Sequence, residues 1–283
     1  MRTGATSAEM RPRNSYFVPA GVTRVKLVIA FDGGAYDGWQ RLRHGTGVQQ
    51  VVEGALTKLF PGGPHLLQGS SRTDAGVHAL GLAAHADLPL HARMTPRKLL
   101  VSLNAFLPED IRVLSSTRAP KDFHARFHAV GKEYRYTVWN HAAMNPLLRG
   151  RAWHVSTKLD FPAMKRAARL FEGRHDFRSF TANRGGGLED AVRTLKRCRV
   201  TRGGSQLTFA IEGSGFLYRM CRGIVGTLVQ LGQGKFGEAD IRAMLAAGDR
   251  RTGGMSAPAE GLVLWKVRYA KGSGGRRARS RPA

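Results

Sequence analysis

The chain has few cysteines, and its two, Cys198 and Cys221, do not form a C-x-x-C pair. This scarcity argues against a disulfide framework or a zinc knuckle as the basis of the fold. His124 and His128 are spaced one helical turn apart, but two histidines without a third ligand are more often ordinary surface or core residues than a metal site. We therefore predict no metal site.

Long apolar runs are also missing. Although 42% of the residues are apolar, no run reaches the roughly 18 residues that a membrane-spanning helix needs. The first residues include Arg2, Arg11 and Arg13 but no apolar segment of the kind that directs secretion. The sequence therefore predicts a soluble, cytoplasmic protein with no membrane partner, and it leaves an Arg-rich organellar transit peptide as the alternative.

Acidic residues are scarce as well, with 20 Asp and Glu against 45 Lys and Arg and a net charge of +25. Residues 1–24 carry +3 of this charge and residues 271–283 carry +5, so +17 remains between them. A merely solubilising surface usually mixes both signs. So basic a body favours an anionic partner, and nucleic acid leads because Lys and Arg neutralise its phosphates whatever the base sequence.

The two ends differ from the rest of the chain. Residues 1–22 and 271–283 lack apolar periodicity, and we predict a disordered basic tail at each end, the second being a candidate phosphate-binding arm. Between the tails, strand and helix patterns alternate. We expect an N-terminal α/β half at 23–120 and a C-terminal α/β half at 121–270.

In the first half, helical spacing of apolar residues predicts a helix within 46–60, where Thr46 and Gln49 could form a capping box. Thr95 and Pro96 predict the start of a second helix, as N-cap and first helical residue. Apolar patterning predicts strands at 24–31, 65–71 and 78–88.

In the second half, a helix is expected to begin after Asp160 and to stop at Gly173. The segment 216–232 reads as a helix with one buried stripe, and Arg219 and Arg222 lie one turn apart on another face. A short helix precedes the final strand. Strands are predicted at 132–139, 192–200, 206–213 and 261–270. This order favours a mixed α/β fold (α+β class) with mostly antiparallel sheets over a doubly wound parallel sheet.

A segment of small residues, "GSSRTDAGVHALG" at 69–81, carries a single carboxylate, Asp74. An aspartate in such a loop could simply cap a helix or order its own turn. The segment resembles the "GRTDAGVHA" signature of the tRNA pseudouridine synthase A family. Five more blocks resemble that family in register, so that the likeness runs from about residue 25 to 269: "FDGGAYDGWQ", "SLNAFLP", "DFHARFHAVGKEYRY", "FLYRMCRGIVGTL" and "APAEGLVL".

The resemblance implies the pseudouridine synthase fold, with two similar α/β halves flanking a central cleft. It implies conversion of uridine to pseudouridine in tRNA, in the anticodon stem-loop at positions 38 to 40, without a cofactor. It also implies a homodimer, since members of the family use both subunits to hold one tRNA. The alternatives are a non-catalytic or weakly catalytic basic RNA-binding or chaperone paralogue, and a synthase that acts on another RNA.

The resemblance also assigns catalytic roles. Asp74 becomes the nucleophile, by covalent attack at C1′ of the ribose or C6 of the base, or else the group that serves an elimination. Arg222 becomes its ion partner, and Tyr134 a residue that stacks on the base and takes part in proton transfer. The residues themselves allow other readings, because Arg222 could lie on a solvated helix face and Tyr134 could be core packing. Gly215, Gly223 and Gly226 favour the ion-pair role for Arg222, since they would let other backbone approach its helix closely.

Four more residues are implied at the substrate: Arg72, Arg126, His78 and Leu262. Leu262 would form an apolar wall beneath the base. Arg72 would replace the flipped nucleotide in the stem, while His78 would support the loop or contact phosphate. The sequence departs from the family where Ser71 replaces a glycine, and a positive φ there would cost roughly 1 kcal/mol. It departs again in "YRMCRG", where the family has "YHMVRN".

Overall fold

The computed structural model describes residues 21–62, 65–89, 94–182 and 190–270. Almost all of the two predicted tails lies outside these ranges, so the tails stay predictions. No helix within them is long and apolar enough to cross a membrane. The helices are α1 (Val48–Leu59), α2 (Pro96–Phe106), α3 (Phe161–Ala168), α4 (Met220–Gly232) and α5 (Glu238–Ala247). The strands are β1 (Thr23–Phe31), β2 (Gln68–Gly69), β3 (His78–Leu88), β4 (Ile111–Arg118), β5 (Ala129–Asn140), β6 (Trp153–Val155), β7 (Gly173–Asp176), β8 (Val192–Gly203), β9 (Gln206–Gly213) and β10 (Leu262–Tyr269).

These ten strands form one sheet in the order β4-β1-β3-β10-β5-β9-β8-β7, with β2 paired to β3 and β6 to β5. Most pairings are antiparallel, which confirms the predicted mixed α/β class. The strand β10 lies between β3 of the first half and β5 of the second. It runs parallel to β3, with Val263 opposite His78, and antiparallel to β5, with Leu264 opposite Tyr134. The two halves therefore share one continuous sheet, and β10 joins them.

The core lies on one face of this sheet. Alternate residues along the strands, such as Leu27 and Ile29 of β1 and Tyr136 of β5, are fully buried. They belong to a single hydrophobic cluster that includes residues of all five helices. Residues that alternate with them are polar, as in Arg135, whose guanidinium stacks 3.9 Å above the ring of Trp265. The period-two pattern of the strands thus separates a helix-covered face from a polar face.

Two of the predicted helix starts are confirmed. The Thr95 side chain accepts a hydrogen bond from the Lys98 N–H at 3.2 Å, and Pro96 is the first residue of α2. The Asp160 carboxylate accepts one from the Ala163 N–H at 2.9 Å at the start of α3. Both caps satisfy N–H groups that have no partner within the helix.

The predicted capping box at α1 is wrong. The N-cap is Gly47, and no side chain caps the helix. Instead, the Gln49 amide donates to Glu53 Oε1 and to the Leu67 carbonyl, each at 3.0 Å. Because Glu53 is buried, its carboxylate must accept hydrogen bonds from nearby donors. The Gln49 amide is one of these donors, so it does not fold back to cap the helix.

Two other helix boundaries also differ from the predictions. The helix α3 ends at Ala168 and continues as one 3₁₀ turn, while Gly173 begins β7 rather than stopping the helix. The helix α4 begins at Met220, because Arg219 has a left-handed backbone with φ of 57°. Arg219 is therefore the N-cap and not a residue one turn before Arg222 within the helix.

We predict that Thr95→Ala lowers the free energy of unfolding by about 1 kcal/mol, because the first turn of α2 loses its side-chain cap. Thr46→Ala is the matched control, since the exposed Thr46 side chain caps nothing. Urea denaturation of both variants measures the difference. Equal losses in the two variants would contradict the assignment of the caps.

Candidate active site

Asp74 lies in the loop that joins β2 to β3. Three backbone hydrogen bonds fix this loop: Trp39 N–H donates to the Thr73 carbonyl at 3.2 Å, Gly76 N–H to the Tyr36 carbonyl at 3.3 Å, and Val77 N–H to the Asp74 carbonyl at 3.1 Å. Two of them come from residues 32–39, which we call the cradle. The cradle therefore fixes the backbone that carries Asp74.

The cradle can approach so closely only because it contains glycines. A β-carbon on Gly33 would lie 2.1 Å from the Val77 carbonyl oxygen, and one on Gly38 would lie 2.5 Å from that of Thr73. Gly38 also has a positive φ of 97°. Any side chain at either position would push the loop away, so the "DGGAYDG" sequence is needed to place Asp74.

Asp74 forms an ion pair with Arg222, as predicted from the resemblance. Arg222 Nη1 donates to Asp74 Oδ2 at 3.3 Å, and the two side chains are 12% and 18% exposed, respectively. Arg222 Nε donates to the Ala257 carbonyl at 2.7 Å. With one nitrogen on backbone and another on Asp74, the guanidinium has a fixed orientation. Its charge stabilises the carboxylate in a position that water only partly reaches.

The first two turns of α4 hold Arg222 in place. A β-carbon on Gly223 would lie 2.2 Å from the Phe180 carbonyl oxygen, and one on Gly226 would lie 2.0 Å from that of Met255. The predicted close approach of other backbone is thus confirmed at these two glycines. It is wrong at Gly215, which contacts only the Arg193 side chain at an ordinary 3.7 Å.

Tyr134 projects from β5 toward the Asp74 loop and is 8% exposed. Its ring packs edge-on against Phe216, with the centroids 5.0 Å apart. Burial, together with Cys221 and Asp74, raises the pKa of its hydroxyl well above the ordinary value, despite an opposing effect of Ser71. The phenol is therefore protonated at neutral pH, so it can donate a hydrogen bond, and it can accept a proton only by passing on its own.

Leu262 is buried at the start of β10, the strand beside Tyr134. Its N–H donates to the Ala259 carbonyl at 2.9 Å. Its neighbour Gly261 lets the chain pass over the ring of Tyr136, since a β-carbon there would lie 2.5 Å from Cζ. Leu262 thus supplies an apolar surface next to Tyr134, although most of it is already covered by the core.

The other predicted substrate residues lie in different settings. Arg72 is exposed and makes no hydrogen bond or ion pair with any residue that the structure describes. Arg126 is exposed in the loop before β5. His78 is 4% exposed, with Nδ1 3.0 Å from Gly33 N and Nε2 facing the Gly150 and Glu260 carbonyls. This geometry favours support of the loop over contact with substrate.

Ser71 does not have the positive φ considered from the sequence, because Arg219 is the only non-glycine residue with a positive φ within the described ranges. The substitution of glycine by serine therefore causes no backbone strain. Ser71 is buried in the loop near the Tyr134 hydroxyl.

Lys132, whose ammonium donates to the Ser70 carbonyl at 2.7 Å, is a site residue that was not predicted from the sequence. Lys132 lies two residues before Tyr134 on β5, and side chains two apart in a strand share a face. That spacing could have identified it. The Asp74 loop is thus contacted by the cradle, Lys132 and Arg222.

The site therefore brings together an aspartate paired with an arginine, a buried protonated tyrosine and an apolar leucine. A family model described as tRNA pseudouridine synthase matches residues 167–270, which include Arg222 and Leu262. The matched segment is therefore similar to isomerases of the pseudouridine synthase class.

Relatives named tRNA pseudouridine synthase A match most of the chain. The protein of Syntrophotalea carbinolica is 46% identical over 87% of this chain and 96% of its own length. The protein of Geobacillus kaustophilus is 46% identical over 87% and 94%, and that of Acetivibrio thermocellus is 42% identical over 87% and 99%. The chain therefore belongs to the tRNA pseudouridine synthase A family, which confirms the resemblance seen in the sequence.

We predict that Gly226→Ala lowers the free energy of unfolding by about 1–3 kcal/mol, because the new methyl group collides with the Met255 carbonyl and forces α4 to shift. Gly54→Ala in α1 is the control, since nothing lies within 4 Å of its β-carbon position. It should raise stability by about 0.5–1 kcal/mol.

Chemical denaturation of both variants gives the two values, and single-turnover assays show whether the displaced Arg222 also slows the reaction. A stabilising Gly226→Ala substitution would contradict the close packing described for α4.

Proposed function

We propose that this chain converts uridine to pseudouridine in the anticodon stem-loop of tRNA, at positions 38 to 40, with Asp74 as the nucleophile. The observation that carries the proposal is the Asp74–Arg222 ion pair beside Tyr134 and Leu262. A protein that only binds RNA has no need of a carboxylate placed in a basic surface, where it repels phosphate.

In this reaction the Asp74 carboxylate attacks the nucleotide, at C1′ of the ribose or C6 of the base. The N1–C1′ bond breaks, the uracil turns within the site, and a C5–C1′ bond forms. In the C1′ route C5 displaces the carboxylate from C1′ as this bond forms, whereas in the C6 route the carboxylate leaves C6 afterwards. C5 then loses its proton and N1 gains one, so atoms balance without a cofactor. Arg222 stabilises the carboxylate both before attack and after release.

Tyr134 acts on the base rather than on the sugar. Its ring stacks on the uracil, and its hydroxyl takes part in the removal of the C5 proton. Since the raised pKa of the phenol keeps it protonated, the oxygen accepts this proton only as it gives up its own, in a relay. Leu262 confines the detached uracil between strand and loop, which limits its loss to water.

The target uridine must be unpaired and flipped out of the RNA stem before it can react, and this costs a few kcal/mol. Arg72 is exposed next to the Asp74 loop, and we propose that it enters the stem in place of the flipped nucleotide. Arg126 contributes to holding the RNA. Binding draws on the strongly basic composition, with a net charge of +17 outside the two ends.

We further propose that the protein acts as a cytoplasmic homodimer. The family resemblance supports this, since members hold one tRNA with both subunits. Sedimentation at micromolar concentration with and without tRNA tests the assembly, and a 1:1 complex of monomer and tRNA would overturn it.

We predict that Asp74→Asn abolishes pseudouridine formation, with a loss of at least about 10³-fold in rate, while tRNA binding persists. Asp190→Asn is the control, because that side chain is 76% exposed and pairs with Arg193. Mass spectrometry of an unmodified tRNA transcript, incubated with each protein, maps the product.

New pseudouridine in the anticodon stem-loop with wild type and Asp190→Asn only is the expected result. If wild type binds several tRNAs but modifies none, the protein is an RNA-binding paralogue or acts on another RNA.

We predict that Tyr134→Phe lowers the single-turnover rate by about 10²–10⁴-fold and leaves tRNA affinity unchanged, because the ring remains and the hydroxyl is lost. Tyr136→Phe on the same face of β5 is the control. Its hydroxyl donates to the Pro258 carbonyl at 2.9 Å, so its loss should cost about 1 kcal/mol of stability and little rate. Equal rates for wild type and Tyr134→Phe would reduce Tyr134 to a packing residue.

A further inference from the structure

Lys132 carries a charge that its surroundings do not balance. Its ammonium lies between strand β5 and the Asp74 loop and donates to the Ser70 carbonyl at 2.7 Å. Within the residues described, no carboxylate lies within 4 Å of it. Another cation, Arg126, acts on it electrostatically and disfavours its charge. A partly buried ammonium with a like charge for a neighbour is costly unless an anion joins them.

The Lys132 ammonium nevertheless remains available for an anion. Burial first, and Arg126 second, lower its pKa to about 8, so that most of it is charged at pH 7. One of its three N–H bonds is used on Ser70, and two are left for a ligand.

Arg126 is exposed, yet the loop that presents it is firmly held. The buried Arg24 donates to the Lys121 and Phe123 carbonyls at 2.8 and 2.9 Å. The Ala125 N–H donates to His85 Nδ1 at 3.2 Å, and the Tyr269 hydroxyl donates to the Ala125 carbonyl at 2.7 Å. The backbone of Arg126 is therefore preorganised beside Lys132, which lowers the cost of ordering it upon binding.

We propose that Lys132 and Arg126 form a phosphate site that takes one phosphodiester of the RNA next to the flipped uridine; this inference rests on the proposed function. Lys132 shares a strand face with Tyr134, and Ser70 precedes Asp74 by only four residues. A phosphate bound there lies close to the reacting nucleotide. Lys132 supplies a compact positive charge. Arg126 supplies a fork of N–H donors that can bind two oxygens of one phosphate.

The site also couples binding to catalysis. In the bound complex, Lys132 donates one hydrogen bond to the Asp74 loop and others to the RNA phosphate. Because this phosphate is linked to the ribose, its binding fixes the position of the ribose relative to the Asp74 carboxylate. Such positioning affects the chemical step more than a surface contact would.

The test is a double-mutant cycle that combines substitutions in the protein with neutral linkages in the RNA. The affinity for RNA is measured with the Asp74→Asn protein, either alone or combined with Lys132→Met or Lys132→Arg. The control combines Asp74→Asn with Lys165→Met, which changes an exposed lysine on α3. The probes are anticodon stem-loops, native or with a single neutral methylphosphonate linkage at each of the five phosphates around the target uridine.

With Lys132 present, we expect one methylphosphonate position to weaken binding about tenfold and to reduce the dependence of log affinity on log salt by about one. Lys132→Met should bind the native RNA about tenfold more weakly and be insensitive to that same linkage. Lys132→Arg should recover most of the affinity, and Lys165→Met should behave like its parent.

If Lys132→Met remains as sensitive as its parent at all five positions, the phosphate site is overturned. This holds even if the variant binds more weakly overall, because a residue that only supports the loop reduces affinity equally for native and neutral linkages. Failure of the proposed function looks different, since then wild type would form no pseudouridine in any of these RNAs.

Discussion

The ion pair between Asp74 and Arg222 is the interaction on which the site depends. It joins side chains that are 148 residues apart in the chain, at 3.3 Å, and so it requires both halves to be folded and docked. The cradle glycines place one partner and the glycines of α4 place the other, in each case by letting backbone approach backbone more closely than any side chain allows. Several glycines around the site therefore contribute to one contact, the 3.3 Å hydrogen bond between Arg222 and Asp74.

The contacts around the Asp74 loop divide its tasks. Arg222 neutralises the carboxylate, the cradle fixes the backbone, and Lys132 holds the start of the loop from the side of β5. Tyr134 is different, since it projects from the core and its hydroxyl lies near Ser71 of the loop. A strand of the sheet thus presents Tyr134, while a short loop presents Asp74.

Local patterns in the sequence were enough to predict most elements, as at Thr95 and Asp160, because capping and periodicity depend on neighbouring residues. They failed at Gln49, where a buried Glu53 from the next turn competes for the amide, and at Arg219, whose left-handed backbone moves the start of α4 to Met220. The pairing of Asp74 with Arg222 came from family resemblance, since no local rule connects such distant residues. The insertion of β10 between β3 and β5 could not be predicted from periodicity either, because pairing partners are chosen by the whole sheet.

The place of β10 also bears on how the protein is made. Because β10 follows the other nine described strands in the chain and lies in the middle of the sheet, the first half cannot reach its final neighbours until some 260 residues have been synthesised. Until then the edge of β3 is open, and the nascent chain carries unpaired backbone that could join a neighbouring chain. The sheet that carries the site is thus completed late, so an incomplete chain on the ribosome has basic residues that attract RNA but no finished site with which to modify it.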